Sequence, residues 1–100
     1  MEPHNFNCEI IDGHCIIRDQ GNVILLDTGS PVTIHETKTL KFLGDDFATQ
    51  DQYQTNIPEL RHLTGLDDLT TLMGTDILRQ YKLWFNYKYQ KVIFGSPNMQ

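Results

Sequence analysis

VILLDTGSPVTIH, Val23 to His35, is the stretch that decides the fold. Four aliphatic residues run straight into an aspartate. A Thr-Gly-Ser turn follows, and the chain becomes apolar again past Pro31. The unbroken run Val23 to Leu26 predicts a strand covered on both faces, since a strand with one wet face alternates instead. Asp27 then stands at the end of a buried strand. A carboxylate in apolar surroundings is costly unless it takes a proton or finds donors. Thr28 and Ser30 offer hydroxyls, and Gly29 lets the backbone turn tightly and present its N–H. The stretch reads as an acid held rigidly by a turn. An Asx-turn at a strand end is the simpler use of the same residues.

Upstream, the first 27 residues predict a three-stranded meander. Asn5 to Ile11 and His14 to Asp19 form a hairpin around Asp12-Gly13, a two-residue turn pair. Gln20-Gly21-Asn22 is the next turn. That register sets Ile11 opposite His14, Ile10 opposite Cys15 and Cys8 opposite Ile17. The two sulfurs then share a face diagonally, a poor disulfide geometry. His14 points away from Cys15, so no metal site forms there. Both cysteines read as buried reduced thiols.

Downstream, Val32 to Ile34 resumes the strand pattern. Glu36 to Leu43 predicts a short helix with Leu40 and Leu43 on one side and Gly44 as its stop. In Asp45 to Thr55, Phe47, Thr49, Asp51, Tyr53 and Thr55 alternate as in a half-exposed strand. Pro58 opens a second short helix with Leu60 and Leu63 facing inward and Gly65 as its end. Leu69 to Met73 is a strand that stops at Gly74, and Asp76 to Tyr81 suits a short helix. Lys82 to Tyr87 and Lys91 to Phe94 close the chain as a hairpin around Lys88-Tyr89-Gln90.

With 100 residues, 39% hydrophobic and 21% charged, the composition is that of one soluble globular domain spanning residues 1–100. The net charge of −5 and scattered Lys and Arg argue against nucleic acid as a partner. No apolar stretch is long enough to span a bilayer, and MEPHNFNCEI has neither a basic nor an apolar leader region, which makes a cytoplasmic address the default.

Two blocks together are similar to the retropepsin family of aspartic proteases. VILLDTGSPVTI, Val23 to Ile34, resembles that family's apolar strand and Asp-Thr-Gly-Ser loop. LMGTDILRQYKLWFNYKYQKVIF, Leu72 to Phe94, resembles the second apolar strand ending in glycine, with the short helix and terminal strand that follow. Gly74 lies 47 residues beyond Asp27. The resemblance implies a mainly β fold, a retropepsin-like acid-protease half-barrel with one to three short helices. It also implies a peptidase that needs no metal and no cofactor. Two carboxylates would activate one water against a peptide or protein substrate. One chain has one Asp-Thr-Gly, so the active form would be a homodimer pairing Asp27 with Asp27. In that picture Thr28 braces the paired loops, Gly29 orients carboxylate or substrate, and Ser30 hydrogen-bonds the outer carboxylate oxygen.

Two departures from the family qualify this. Pro31 and Thr75 occupy the positions where retroviral members carry an acid and its arginine partner. No glycine-rich flap tip lies between Gly29 and Gly74; Leu43-Gly44-Asp45-Asp46 is the best turn, without alternating flanks, and Asp45 to Thr55 is left as a shortened lid. A non-catalytic dimerisation or peptide-binding module is therefore the alternative. Among other residues, Asp76 reads as a helix N-cap, His35 as a loop or strand-edge residue and His62 as a surface one. The row Phe85, Tyr87, Tyr89 is a better core or dimer-contact candidate than Trp84 and Asn86.

Overall fold

Three two-residue turns organise the first half of the chain. Asp12-Gly13, Gln20-Gly21 and Leu43-Gly44 each hold both residues at positive φ, between 49° and 83°. This is the mirror-image turn whose twist matches that of paired strands. The computed structural model, which describes residues 3–49 and 56–96, is mainly β. Its strands are β1 (His4–Asn7), β2 (Glu9–Ile11), β3 (His14–Asp19), β4 (Asn22–Leu26), β5 (Ile34–His35), β6 (Thr39–Phe42), β7 (Asp45–Ala48), β8 (Thr71–Met73), β9 (Lys82–Asn86) and β10 (Lys91–Gly95). Two short helices join them, α1 (Ile57–Thr64) and α2 (Thr75–Leu78).

The expected hairpin register holds for Ile11 with His14 and Ile10 with Cys15. Cys8, however, ends the pairing. The segment splits there, because β1 leaves to pair with β10 and the Cys8 N–H donates to the Gln90 carbonyl at 2.7 Å. Both cysteines are buried and free. Burial pushes the Cys8 thiol up to about 12, with the neighbouring Cys15 adding to it. A thiol in that state is inert as a nucleophile.

β4 is the centre of a five-stranded sheet in the order β2-β3-β4-β8-β5. It runs antiparallel to β3 and parallel to β8, Leu26 opposite Met73. Its apolar run is covered on both faces as the sequence implied. Ile24 and Leu26 enter the main core with Phe42, Met73, Val92 and Phe94, while Val23 and Leu25 pack with Ile16, Leu69 and Leu72. Phe42 is fully buried among Phe6, Tyr81 and Phe94, with ring centroids 5.1 to 6.1 Å away. Such aromatic pairs add about 0.5–1.5 kcal/mol each beyond area burial.

The helix expected over Glu36 to Leu43 is absent; β6 stands in its place. Leu40 and Phe42 alternate inward with Thr39 and Lys41 outward, a period of two. Thr37 and Thr39 favour extended backbone, and Leu43 turns to positive φ instead of closing a helix. The flanks of Leu43-Gly44 therefore do pair as a hairpin, Leu40 with Phe47 and Phe42 with Asp45. Of the strand expected over Asp45 to Thr55, β7 forms as far as Ala48 and Thr49 falls just past its end; positions 50–55, Asp51, Tyr53 and Thr55 among them, lie outside the described residues. The Val32 to Ile34 strand is reduced to β5, which begins at Ile34.

α1 follows its signals, with Pro58 at the start and Gly65 left-handed at the end. Leu60 packs toward the second core cluster, but Leu63 is 66% exposed, contrary to its expected inward position. Arg61 ties the helix down, donating from Nε to the Leu69 carbonyl at 2.7 Å and to Glu36 at 2.9 Å. α2 is shorter than the expected Asp76 to Tyr81 and stops at Leu78. β9 and β10 form the closing hairpin and complete a separate sheet, β1-β10-β9. Phe85 packs on the core, whereas Tyr87 and Tyr89 are exposed beside the turn.

Candidate active site

The end of β4 is held by β8. The Asp27 N–H donates to the Met73 carbonyl at 2.9 Å, extending the parallel ladder by one step. The chain then turns. Ser30 N–H reaches the Asp27 carbonyl at 3.2 Å, and Gly29 N–H reaches Asp27 Oδ1 at 2.9 Å. The side chain thus makes the Asx-turn, and Gly29 orients the carboxylate as the sequence suggested. A Cβ on Gly29 would stand 3.3 Å from that same oxygen, so glycine keeps the approach open. Asp27 is half-buried and Thr28 exposed.

Ser30 departs from expectation. Its hydroxyl donates to the Val32 carbonyl at 2.8 Å, not to the carboxylate. Its role is to shape the loop past Pro31. The Ser30 carbonyl in turn accepts the Thr75 N–H at 2.8 Å and the Thr75 hydroxyl at 3.3 Å. Thr75 therefore joins the two blocks through neutral hydrogen bonds.

Gly74 sits where the loop crosses β8. A Cβ there would collide with the Val32 carbonyl and lie 2.6 Å from the Ser30 carbonyl oxygen. Its φ is −97°, so the requirement is for space alone and not for an unusual backbone. The Gly74 N–H donates to Thr33 Oγ1 at 3.0 Å. Thr33 Oγ1 then donates to Asp76 Oδ1 at 2.6 Å, and Thr33 N–H donates to Asp76 Oδ2 at 3.1 Å. Asp76 is consequently not an N-cap. Gly74 occupies the cap position without a side-chain bond, and the Asp76 carboxylate clamps Thr33 from the second position of α2. Thr33 and Asp76 were not singled out as a pair by the sequence, because 43 residues separate them and each is ordinary in its own segment.

A second polar knot lies at the other end of β8. His35 is on the edge strand β5 as expected, yet its ring is buried. Nδ1 lies 2.7 Å from Thr71 Oγ1 and 3.1 Å from the Thr70 carbonyl. Burial pulls the imidazole below its usual range, outweighing the carbonyls and Glu36 that favour its charged form. Thr70 Oγ1 completes the knot with Asn22 Oδ1 at 3.0 Å and the Val23 N–H at 3.1 Å. His62 is exposed, as the sequence suggested.

The β6–β7 hairpin is not free over the loop. Leu43 N–H donates to Asp19 Oδ2 at 3.2 Å, Asn22 Nδ2 donates to the Lys41 carbonyl at 3.4 Å, and Leu40 and Phe42 are fully buried. Its tip is stapled to the β3–β4 turn. Among the described residues no group of three or more His, Cys, Asp or Glu converges to hold a metal, and no helix is long and apolar enough to cross a membrane.

Compared with protein-family models, with curated proteins and with solved structures, the chain matches none.

Proposed function

We propose that the chain is an aspartic endopeptidase of retropepsin-like type, active as a homodimer in which two Asp27 loops meet. The single observation that carries this reading is the construction of the loop. A carboxylate at the end of a doubly buried strand has one oxygen fixed by Gly29 N–H, on a loop clamped by Gly74, Thr75 and Asp76. A carboxylate used only to finish a turn gains nothing from so many ties; a reacting group gains orientation.

In a symmetric pair, the two Asp27 side chains would hold one proton between them, since like charges a few ångströms apart do not both ionise. The ionised member takes a proton from a water lodged between them, and the resulting hydroxide adds to the scissile carbonyl. The protonated member donates to the carbonyl oxygen, and the tetrahedral species collapses with proton transfer to the leaving amine. Gly29 N–H holds Oδ1 throughout, so each carboxylate presents Oδ2 to the water. Thr28, exposed at the loop tip, faces the partner loop in this arrangement. Neutral contacts carry the assembly, because Pro31 and Thr75 stand where charges would otherwise pair.

The experiment is a peptide-library cleavage assay of wild type and Asp27→Asn, run beside sedimentation across protein concentration and pH. The expected result is a dimer whose cleavage rises toward acid pH and falls by about 10²–10⁴-fold in the variant. Cleavage that survives Asp27→Asn overturns the reading. The pinned β6–β7 hairpin favours the alternative, a module that dimerises or binds peptide without cutting it. That alternative expects peptide binding unchanged by Asp27→Asn and no product.

A further inference from the structure

The outer face of the β1–β10–β9 sheet carries chemistry that the Asp27 loop does not use. All thirteen Asp and Glu of the chain precede Ile77, whereas Arg79, Lys82, Lys88 and Lys91, half of its eight cations, follow it. An acidic chain thus ends in a segment with positive side chains only. Strand register gathers part of that charge on one face. Trp84 lies opposite Ile93 and Asn86 opposite Lys91 on the neighbouring strand. Asn5 lies opposite Ile93, and Asn7 opposite Lys91, on β1. The alternate residues Phe6, Leu83, Phe85, Val92 and Phe94 point into the core. The outward set is therefore two lysines and three asparagines around an apolar centre of Trp84 and Ile93.

This face is open. Trp84 is 47% exposed, and with Pro3, Asn5, Asn86, Lys91 and Ile93 it lines a groove of about 500 Å³. Of the four large apolar side chains that stand exposed among the described residues, Trp84, Tyr87 and Tyr89 belong to this hairpin. β9 is the outer strand of its sheet, with no neighbour on its far side among the described residues. An outer strand offers a row of backbone N–H and C=O groups to an added strand.

We propose that this face docks an extended, acidic polypeptide segment of a partner protein. The segment lies along the β9 edge, with an apolar side chain on Trp84 and Ile93 and carboxylates against Lys82 and Lys91. Charge complementarity selects the occupant. A second copy brought up by a two-fold axis would press two faces of the same positive charge together, with no carboxylate on either, which repels. A nucleic acid strand would find too few cations for a phosphate track, and affinity there scales with the number of phosphates neutralised. The docking face functions whether or not Asp27 is catalytic.

Trp84 is the chain's single tryptophan, so its emission reports on this face alone. The full chain is titrated with a synthetic peptide alternating glutamate and valine, with its lysine–valine counterpart and with single-stranded oligothymidylate. The expected result is a blue shift with the acidic peptide only, its midpoint rising about threefold or more on raising salt from roughly 0.05 to 0.3 M. The double variant Lys82→Glu/Lys91→Glu is expected to weaken binding about tenfold, by removing two attractions and adding two repulsions. Lys38→Glu/Lys41→Glu, the same charge change on the outer side of another hairpin, is expected to leave binding within about twofold. Circular dichroism checks that both variants keep the fold. A shift that follows protein concentration without peptide assigns the face to a second copy and overturns the proposal. So does a shift with the oligonucleotide alone, an equal response to both peptides, no response to the acidic one, or equal weakening by both double variants.

Discussion

The Asp27 loop and the outer face of the β1–β10–β9 sheet are both polar, accessible surfaces, and they are built in opposite ways. Around the loop, polar groups are spent on one another: Asp27, Ser30, Thr33, Gly74, Thr75 and Asp76 close a set of hydrogen bonds between 2.6 and 3.3 Å. On the sheet face the side chains stand out toward solvent: Trp84 is 47% exposed, Lys91 meets Asn7 at 2.9 Å, and Lys88 sits 5.3 Å above the Tyr89 ring. A surface whose hydrogen bonds are internally closed has a fixed shape and suits positioning of a reacting atom. A surface with open side chains adapts, and suits recognition. Substitutions in the two regions should therefore differ in kind, costing fold stability in the first and only binding in the second.

The sharpest way to break that contrast is Gly74→Ala. Its Cβ meets two backbone carbonyls that cannot rotate away. The expected loss is about 3 kcal/mol, at the upper end for overpacking a filled site, seen as a lower urea midpoint. If the midpoint holds, the crossing of loop and β8 is looser than described.

Next comes the Thr33–Asp76 clamp. Thr33→Val keeps the shape but strands the Gly74 N–H and a carboxylate oxygen. The expected cost is about 2 kcal/mol by denaturant titration. Asp76→Asn should cost less than Asp76→Ala, because its amide oxygen still accepts from Thr33 while its NH₂ replaces an acceptor with a donor. Thr33→Ser should restore most of the loss. Equal costs for all four would reduce the clamp to generic packing.

A smaller and pH-dependent effect belongs to His35. Its folded-state pKa is lowered by burial from the usual 6.5, so the neutral ring is the one the fold accepts. Its stability contribution is fully present above that value and is lost as pH falls toward the lowered one. Over that window unfolding free energy should drop with a slope of up to about 1.4 kcal/mol per pH unit for the one proton. His35→Gln should flatten this slope. Smallest of all, Leu63→Ser should change stability by less than about 0.5 kcal/mol, its side chain being 66% exposed despite its place in an apolar helical pattern.

The part of this architecture legible in the sequence is the part written in contiguous residues. The run Val23 to Leu26 reads as a doubly covered strand, and Asp-Thr-Gly after it as a turn. The two hairpins that flank Cys15 and Tyr87 follow from Asp12-Gly13 and from the alternation on either side of Lys88. What was illegible depends on distant chain. Leu40 and Leu43 fit a helix, Leu40 and Phe42 a strand, and only the hub of Phe6, Tyr81 and Phe94 around Phe42 decides between them. Leucine at positive φ gave no warning that Leu43-Gly44 is the same turn as Asp12-Gly13. The break at Cys8 depends on β10, more than 80 residues on. At the site, the turn of Asp27 and Gly29 follows from local chemistry, whereas Gly74 reads locally only as a strand stop; its need for space comes from the Ser30 and Val32 carbonyls, more than 40 residues away. Ser30 donates to the Val32 carbonyl instead of the carboxylate, a contact across Pro31 that the order of residues alone does not reveal.

The parallel contact between β4 and β8 carries a further consequence for how the molecule comes into being. Leu26 finds Met73, and Asp27 its backbone acceptor, only after 46 intervening residues have been made and wound back. Pairing across so long a connection is slow compared with hairpin closure. On the ribosome the first three hairpin strands can zip up early, while the aspartate waits for the tail. A truncated product ending short of Gly74 would keep the Asp-Thr-Gly letters and lack their geometry, so the aspartate's setting is the last thing to be completed.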